Sequence, residues 1–120
     1  METPRKKILV AEDNDSNYLL IFSLLKKSYD IVRAINGLEA IEKLETENPD
    51  IILMDLKMPE MGGLEATKRI REKNKTVPII ALTAYAFESD RLSALEAGCN
   101  DFVAKPINHQ QLIEVLNLFK

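Results

Sequence analysis

The 120-residue chain has one cysteine, Cys99, and one histidine, His109. A lone cysteine excludes an internal disulfide and fits a reducing cytosol. The lone histidine opens a predicted last helix, has no partner pattern for catalysis or metal binding, and is expected to be exposed. No apolar run approaches the length needed to span a bilayer. The opening "METPRKK" is a charged arm without the apolar stretch of a signal peptide. The formal net charge is −3, so no global basic field favours nucleic acid. Repeats, low-complexity tracts and interdomain linkers are absent as well.

What is present suffices for a core. Hydrophobic residues make up 46% and charged ones 29%, the balance of a soluble globular protein. The expectation is one domain over 1–120, with an N-terminal arm at 1–7. Short Val- and Ile-rich runs predict strands at 8–11, 30–35, 50–54, 77–82 and 100–104. "DIILM" and "VPIIAL" are apolar almost throughout, as parallel strands covered on both faces must be. Helical stripes lie between them. Tyr18, Ile21, Phe22 and Leu25 form the first, and Leu38, Ile41 and Leu44 the second. Leu64, Thr67 and Ile70 form a weaker third, and Leu92 and Leu95 a fourth that Gly98 stops. Leu112, Val115, Leu116 and Phe119 form the last. Asn36 with Glu39, and Asn108 with Gln111, are placed to cap two of these helices. Five βα units predict an α/β fold: a parallel sheet with helices on both faces. Right-handed crossovers put every strand's carboxyl end on one edge, where ligands bind in such folds.

The residues at that edge are therefore the informative ones. "EDND" follows strand 1, with Glu12, Asp13 and Asp15; Asn36 and Gly37 follow strand 2. Asp55 follows strand 3, Thr83 and Ala84 follow strand 4, and Lys105 and Pro106 follow strand 5. If strands 1 and 3 are neighbours, Glu12, Asp13 and Asp55 converge, and clustered acids repel. A divalent cation relieves that repulsion, and hard oxygen ligands suit Mg²⁺, with Mn²⁺ as its substitute. Mg²⁺, an ammonium and a hydroxyl together serve a phosphoryl group with developing charge. A carboxylate can supply the nucleophile as an aspartyl phosphate.

These residues resemble the receiver domain of two-component response regulators. The likeness runs from about Ile8 to Phe119. It rests on "EDN" at 12–14, D-x-x-M-P-x-M-x-G at 55–63, "LTA" at 82–84, "DFVAKP" at 101–106 and the βα alternation. The resemblance implies a flavodoxin-like (βα)5 doubly wound sheet with strand order 2-1-3-4-5. It implies Asp55 as phosphoacceptor and Mg²⁺ held by Glu12, Asp13, Asp55 and the backbone carbonyl of Lys57. It also implies Lys105 and Thr83 on the phosphoryl oxygens, Thr83 and Phe102 as a switch pair, and a cis Lys105–Pro106 bond. The resemblance further implies that Lys57 and Tyr85 fall at variable positions that tune phosphoryl lifetime in the family. Gly62 stands where an acidic or polar residue is common, and Phe102 where many relatives have tyrosine. Phe102 has no hydroxyl, so coupling to Thr83 must run through packing.

The implied activity is Mg²⁺-dependent phosphoryl transfer from a partner phosphohistidine, on a histidine kinase or a histidine-phosphotransfer domain. It would switch the surface of the fourth helix, fifth strand and fifth helix toward an output domain or a second copy. Self-catalysed phosphorylation and dephosphorylation are implied; metabolic turnover is not. Direct nucleic-acid or membrane contact is not expected. "EDNDSN" looks more like receivers attached to hybrid histidine kinases, which implies a cytoplasmic domain of a membrane-anchored parent. Three alternatives compete: a small aspartate-nucleophile phosphatase, a flavin-binding electron carrier, and a degenerate receiver used for docking. "AEDND" would repel a flavin phosphate unless a metal intervened. The bland readings make Asp13 and Asp15 helix caps, Met54, Met58 and Met61 packing residues, and Cys99 a small buried apolar group.

Overall fold

Strand and helix alternate along the whole chain. The structure is a computed structural model that describes residues 5–84 and 88–119. In order the elements are β1 (Lys7–Ala11), α1 (Asp15–Leu25), β2 (Asp30–Ala34), α2 (Gly37–Glu47) and β3 (Ile51–Asp55). Then come α3 (Gly63–Lys73), β4 (Ile79–Thr83), α4 (Glu88–Ala97), β5 (Asp101–Ala104) and α5 (His109–Asn117). The five strands are parallel in the order β2-β1-β3-β4-β5, as the flavodoxin-like reading requires. β4 starts at Ile79, two residues later than expected, because Pro78 cannot donate to a ladder; its carbonyl accepts from the Ile52 N–H at 2.9 Å.

Side chains that alternate along each strand build two cores. Leu9, Ala11, Ile52, Met54, Ile79 and Ala81 face one layer, with Ala40, Ala66 and Ile70 from the helices. Ile8, Val10, Ile51, Leu53, Ile80 and Leu82 face the other, with Ile21, Leu25, Leu112 and Leu116. Every residue of β3 and β4 is buried, which is why those runs carry almost no polar interruption. Each large side chain buried this way stabilises the fold by about 1.5–3 kcal/mol.

The helix ends follow their sequence signals with two revisions. Asn36 caps α2 by accepting from the Glu39 N–H at 2.8 Å, and Asn108 caps α5 by accepting from the Gln111 N–H at 3.0 Å. Glu39 Oε1 accepts from the Ile35 N–H, one residue before the cap, rather than from Asn36. Gly98 leaves α4 with φ +119°, a conformation that favours glycine. The cap of α1 is Asn14, which accepts from the Asn17 N–H at 2.9 Å. Neither Asp13 nor Asp15 has that task. The fourth stripe is also revised: Leu92 and Leu95 are 50% and 42% exposed, while Ala94 and Ala97 pack inward. Alanine lets α4 lie close to its neighbours, and a leucine pair at i, i+3 does not say which face is inside. Leu38, counted in the second stripe, is likewise exposed. His109 is exposed, and Cys99 is buried against Thr67 with Oγ1···Sγ 3.8 Å.

Candidate functional site

β1 and β3 are neighbours, with Ala11 opposite Met54. That register brings Glu12, one residue past β1, beside Asp55, the last residue of β3. Asp55 pairs with Leu82 and Thr83 with Ala104, so Thr83 and Lys105 arrive at the same edge. Backbone bonds fix each position. The Glu12 N–H donates to Ala34 O at 2.9 Å, the Leu56 N–H to Leu82 O at 3.1 Å, and the Lys105 N–H to Thr83 O at 2.7 Å.

The turn after Asp55 depends on Gly63. A Cβ there would lie 2.3 Å from the Asp55 carbonyl oxygen and 2.8 Å from Met54 Cγ, so α3 can start this close to β3 only without a side chain. Glu60 in the same turn has φ +64°. The Gly37 N–H donates to Met61 O at 2.8 Å, which ties the turn to the start of α2.

Glu12 is fully buried, and Asp55 and Thr83 are buried too. Lys105 Nζ lies 2.8 Å from Glu12 Oε1 and 3.1 Å from Asp55 Oδ2, bridging the two acids. Burial, reinforced by the neighbouring Asp55, pushes the Glu12 carboxyl up to about 7; the ammonium only partly offsets this. Burial works to lower the Lys105 ammonium, but Glu12 and Asp55 outweigh it and hold it above its ordinary value. The Lys57 N–H donates to Asp55 Oδ1 at 3.2 Å, and the Asn14 N–H to Glu12 Oε2 at 3.3 Å. Glu12 Oε1 has no aligned hydrogen bond, so its contact with Lys105 is one of charge.

Oxygens of Glu12, Asp13 and Asp55 come within 4.8 Å of one another. They border a cavity of about 350 Å³ that Thr83 and Lys105 also line. A fully buried carboxylate oxygen with an unused lone pair, beside two further carboxylates, suits a hard divalent cation with room for water. The acidic cluster can hold such a metal. A larger groove of about 960 Å³, between α2 and α3, contains none of these residues.

Of the remaining sequence candidates, Lys57 lines the cavity and Phe102 does not. Phe102 is half-buried, with the Arg91 guanidinium 5.4 Å from its ring centroid. The Lys105–Pro106 bond is cis. Tyr85 lies outside the described residues. Sequence reasoning missed Asn17 and Asp90, which line the cavity from α1 and α4. It also missed Arg33 on β2, which grips the loop carrying Glu12 and Asp13. The signal for Arg33 was one charged residue inside "DIVRAI", set against the carboxyl edge.

Residues 8–117 match the response regulator receiver domain family. The polar-differentiation response regulator DivK of Brucella anthropi is 36% identical over 117 residues, 95% of each chain. Among solved structures, the receiver domain of sensor histidine kinase PA1611 from Pseudomonas aeruginosa superposes with TM-score 0.89 at 37% identity, covering 97% of this chain and 98% of that one. That structure has a magnesium ion coordinated in its active-site cleft. The receiver domain of Ssk1 from Saccharomyces cerevisiae, in complex with the histidine phosphotransfer protein Ypd1, superposes with TM-score 0.90 at 32% identity, covering 99% and 91%.

Proposed function

Since the chain belongs to the response regulator receiver domain family, we propose that it is the phosphoacceptor of a two-component or phosphorelay pathway, with Asp55 as its target. A carboxylate oxygen of Asp55 attacks the phosphorus of a partner phosphohistidine. The P–N bond breaks, the ring nitrogen leaves with the bond's electrons and takes up a proton, and Asp55 becomes an acyl phosphate. Glu12, Asp13, Asp55 and the Lys57 carbonyl would hold Mg²⁺, which neutralises charge on the transferring oxygens. Lys105, already 3.1 Å from Asp55 Oδ2, is within reach of the new phosphoryl oxygens. Thr83 then donates its hydroxyl to the phosphoryl group. The half-buried Phe102 repacks as Thr83 moves and changes the surface of α4, β5 and α5.

The observation that carries this reading is the single ammonium bridging a fully buried Glu12 and Asp55, with Asp13 beside them. Unpaired, those acids would be costly to bury. The phosphoryl donor is a histidine kinase or histidine-phosphotransfer domain, as the yeast complex supports. Exposed Leu19 and Leu20 on α1, within a turn of the cavity-lining Asn17, offer it an apolar contact. The whole of 1–120 acts as one cytoplasmic receiver unit, and the Pseudomonas neighbour supports attachment to a sensor kinase.

Acetyl phosphate or beryllofluoride with Mg²⁺ should modify or occupy Asp55, read by intact mass and by NMR shifts at Thr83 and Phe102. The response should vanish in Asp55→Asn. A folded wild-type protein that gives no Mg²⁺-dependent response, or a response that survives Asp55→Asn, sinks the proposal.

A further inference from the structure

Arg33 has no part in the chemistry above, yet its guanidinium is engaged on several sides. Nε donates to Glu12 O at 3.1 Å, and Nη2 donates to Asp13 O at 3.2 Å. Nη2 also pairs with Asp15 Oδ1 at 2.8 Å, and the guanidinium carbon lies 4.5 Å from the Tyr18 ring centroid. The side chain is only 25% exposed. Behind it, Lys43 Nζ donates to the Arg33 carbonyl at 2.6 Å and lies 3.9 Å from Glu39. A residue of the edge strand thus holds the carbonyls of the two acids that the loop after β1 contributes. This rests on the reading that those acids hold Mg²⁺.

We propose that Arg33 is a positioning residue for the metal: by clamping the backbone carbonyls of Glu12 and Asp13 together, it orders their loop before the cation arrives. A planar fork donates to both carbonyls in one fixed geometry, whereas an ammonium's donors rotate and sit on a flexible stem that does not fix the two carbonyls relative to each other. The order it imposes is conformational freedom that metal binding would otherwise have to remove. The alternative is a bystander charge, and the two differ in sign. A positive charge near the cavity repels a cation, so deleting a bystander tightens Mg²⁺ binding. Deleting a clamp weakens it.

Arg33→Met keeps an apolar stem against Tyr18 and removes the fork. Mg²⁺ affinity is measured by titration calorimetry at fixed ionic strength, and folding by thermal melts in EDTA. Affinity should fall roughly tenfold, the scale seen when groups that orient metal ligands are lost. The melt in EDTA separates this from a merely structural role, which would lower stability and leave the folded protein's affinity alone. Arg33→Lys should fail to restore affinity. Unchanged or tighter binding in Arg33→Met overturns the proposal, as does wild-type affinity in Arg33→Lys. Wild-type protein that binds no Mg²⁺ overturns both this proposal and the metal reading beneath it.

Discussion

Glu12 carries the largest electrostatic tension in the site. Its carboxyl ionises near pH 7 in the folded chain against about 4.5 in the open chain. As pH rises from 4.5 to 7, the unfolded state releases this proton and the folded state keeps it. The group therefore stabilises the fold fully below pH 4.5, and that contribution is lost as pH climbs through 7. Glu12→Gln keeps the shape and removes the proton. In EDTA, the variant should gain stability over wild type across this window, on the order of 3 kcal/mol by pH 8. Denaturant melts at pH 5 and pH 8 check it; equal differences at the two values would count against the buried acid. If Glu12 holds Mg²⁺ as proposed, the cation competes with that proton, and its affinity should rise between pH 5 and pH 8.

At the scale of elements, α4 is the instructive case. Its inward face is Ala94 and Ala97, and its leucines face water. Leu92→Ala and Leu95→Ala should each change stability by less than about 0.5 kcal/mol, whereas Ala94→Leu should cost about 1–3 kcal/mol through overpacking. Urea unfolding of the three variants decides this, and a costly Leu92→Ala would return the leucines to the core. The strands were far more legible than this helix. β3 and β4 are buried on both faces, so their composition alone identifies them. A helix shows one side inward, and where small residues do the packing the apolar stripe misleads. That Glu12, Asp13, Asp55, Thr83 and Lys105 share one cavity was legible, because parallel topology sends every strand end to one edge. Arg33 left only the trace of one charge inside an apolar strand, and Asp90 left none, since their places at the site depend on which strands and helices are neighbours. Asn14 is a good capping type at the loop's end, but the aspartates on either side are capping types too, so the sequence does not single it out.

For the molecule as a whole, the site lies where four strand ends meet, so ligand binding and global stability are linked. A cation that binds the folded chain and not the unfolded one stabilises all of it, by about 2.7 kcal/mol at a hundredfold excess over its dissociation constant. Saturating Mg²⁺ should raise the melting temperature, EDTA should return it, and Asp13→Ala should abolish most of the shift. A shift of full size in Asp13→Ala would remove Asp13 from the ligand set. Among the described residues no helix is long and apolar enough to cross a membrane.

The ion pair between Lys105 and Glu12 also has a consequence for biosynthesis. The two residues stand near opposite ends of the chain, and Asp55 and Thr83 come between them. On the ribosome, the first acids emerge long before the lysine that steadies them. A nascent chain stalled before β5 leaves the tunnel has Glu12 and Asp55 but not the Lys105 ammonium that bridges them. The bridge between Glu12 and Asp55 is thus completed only once the residues after β5 are made.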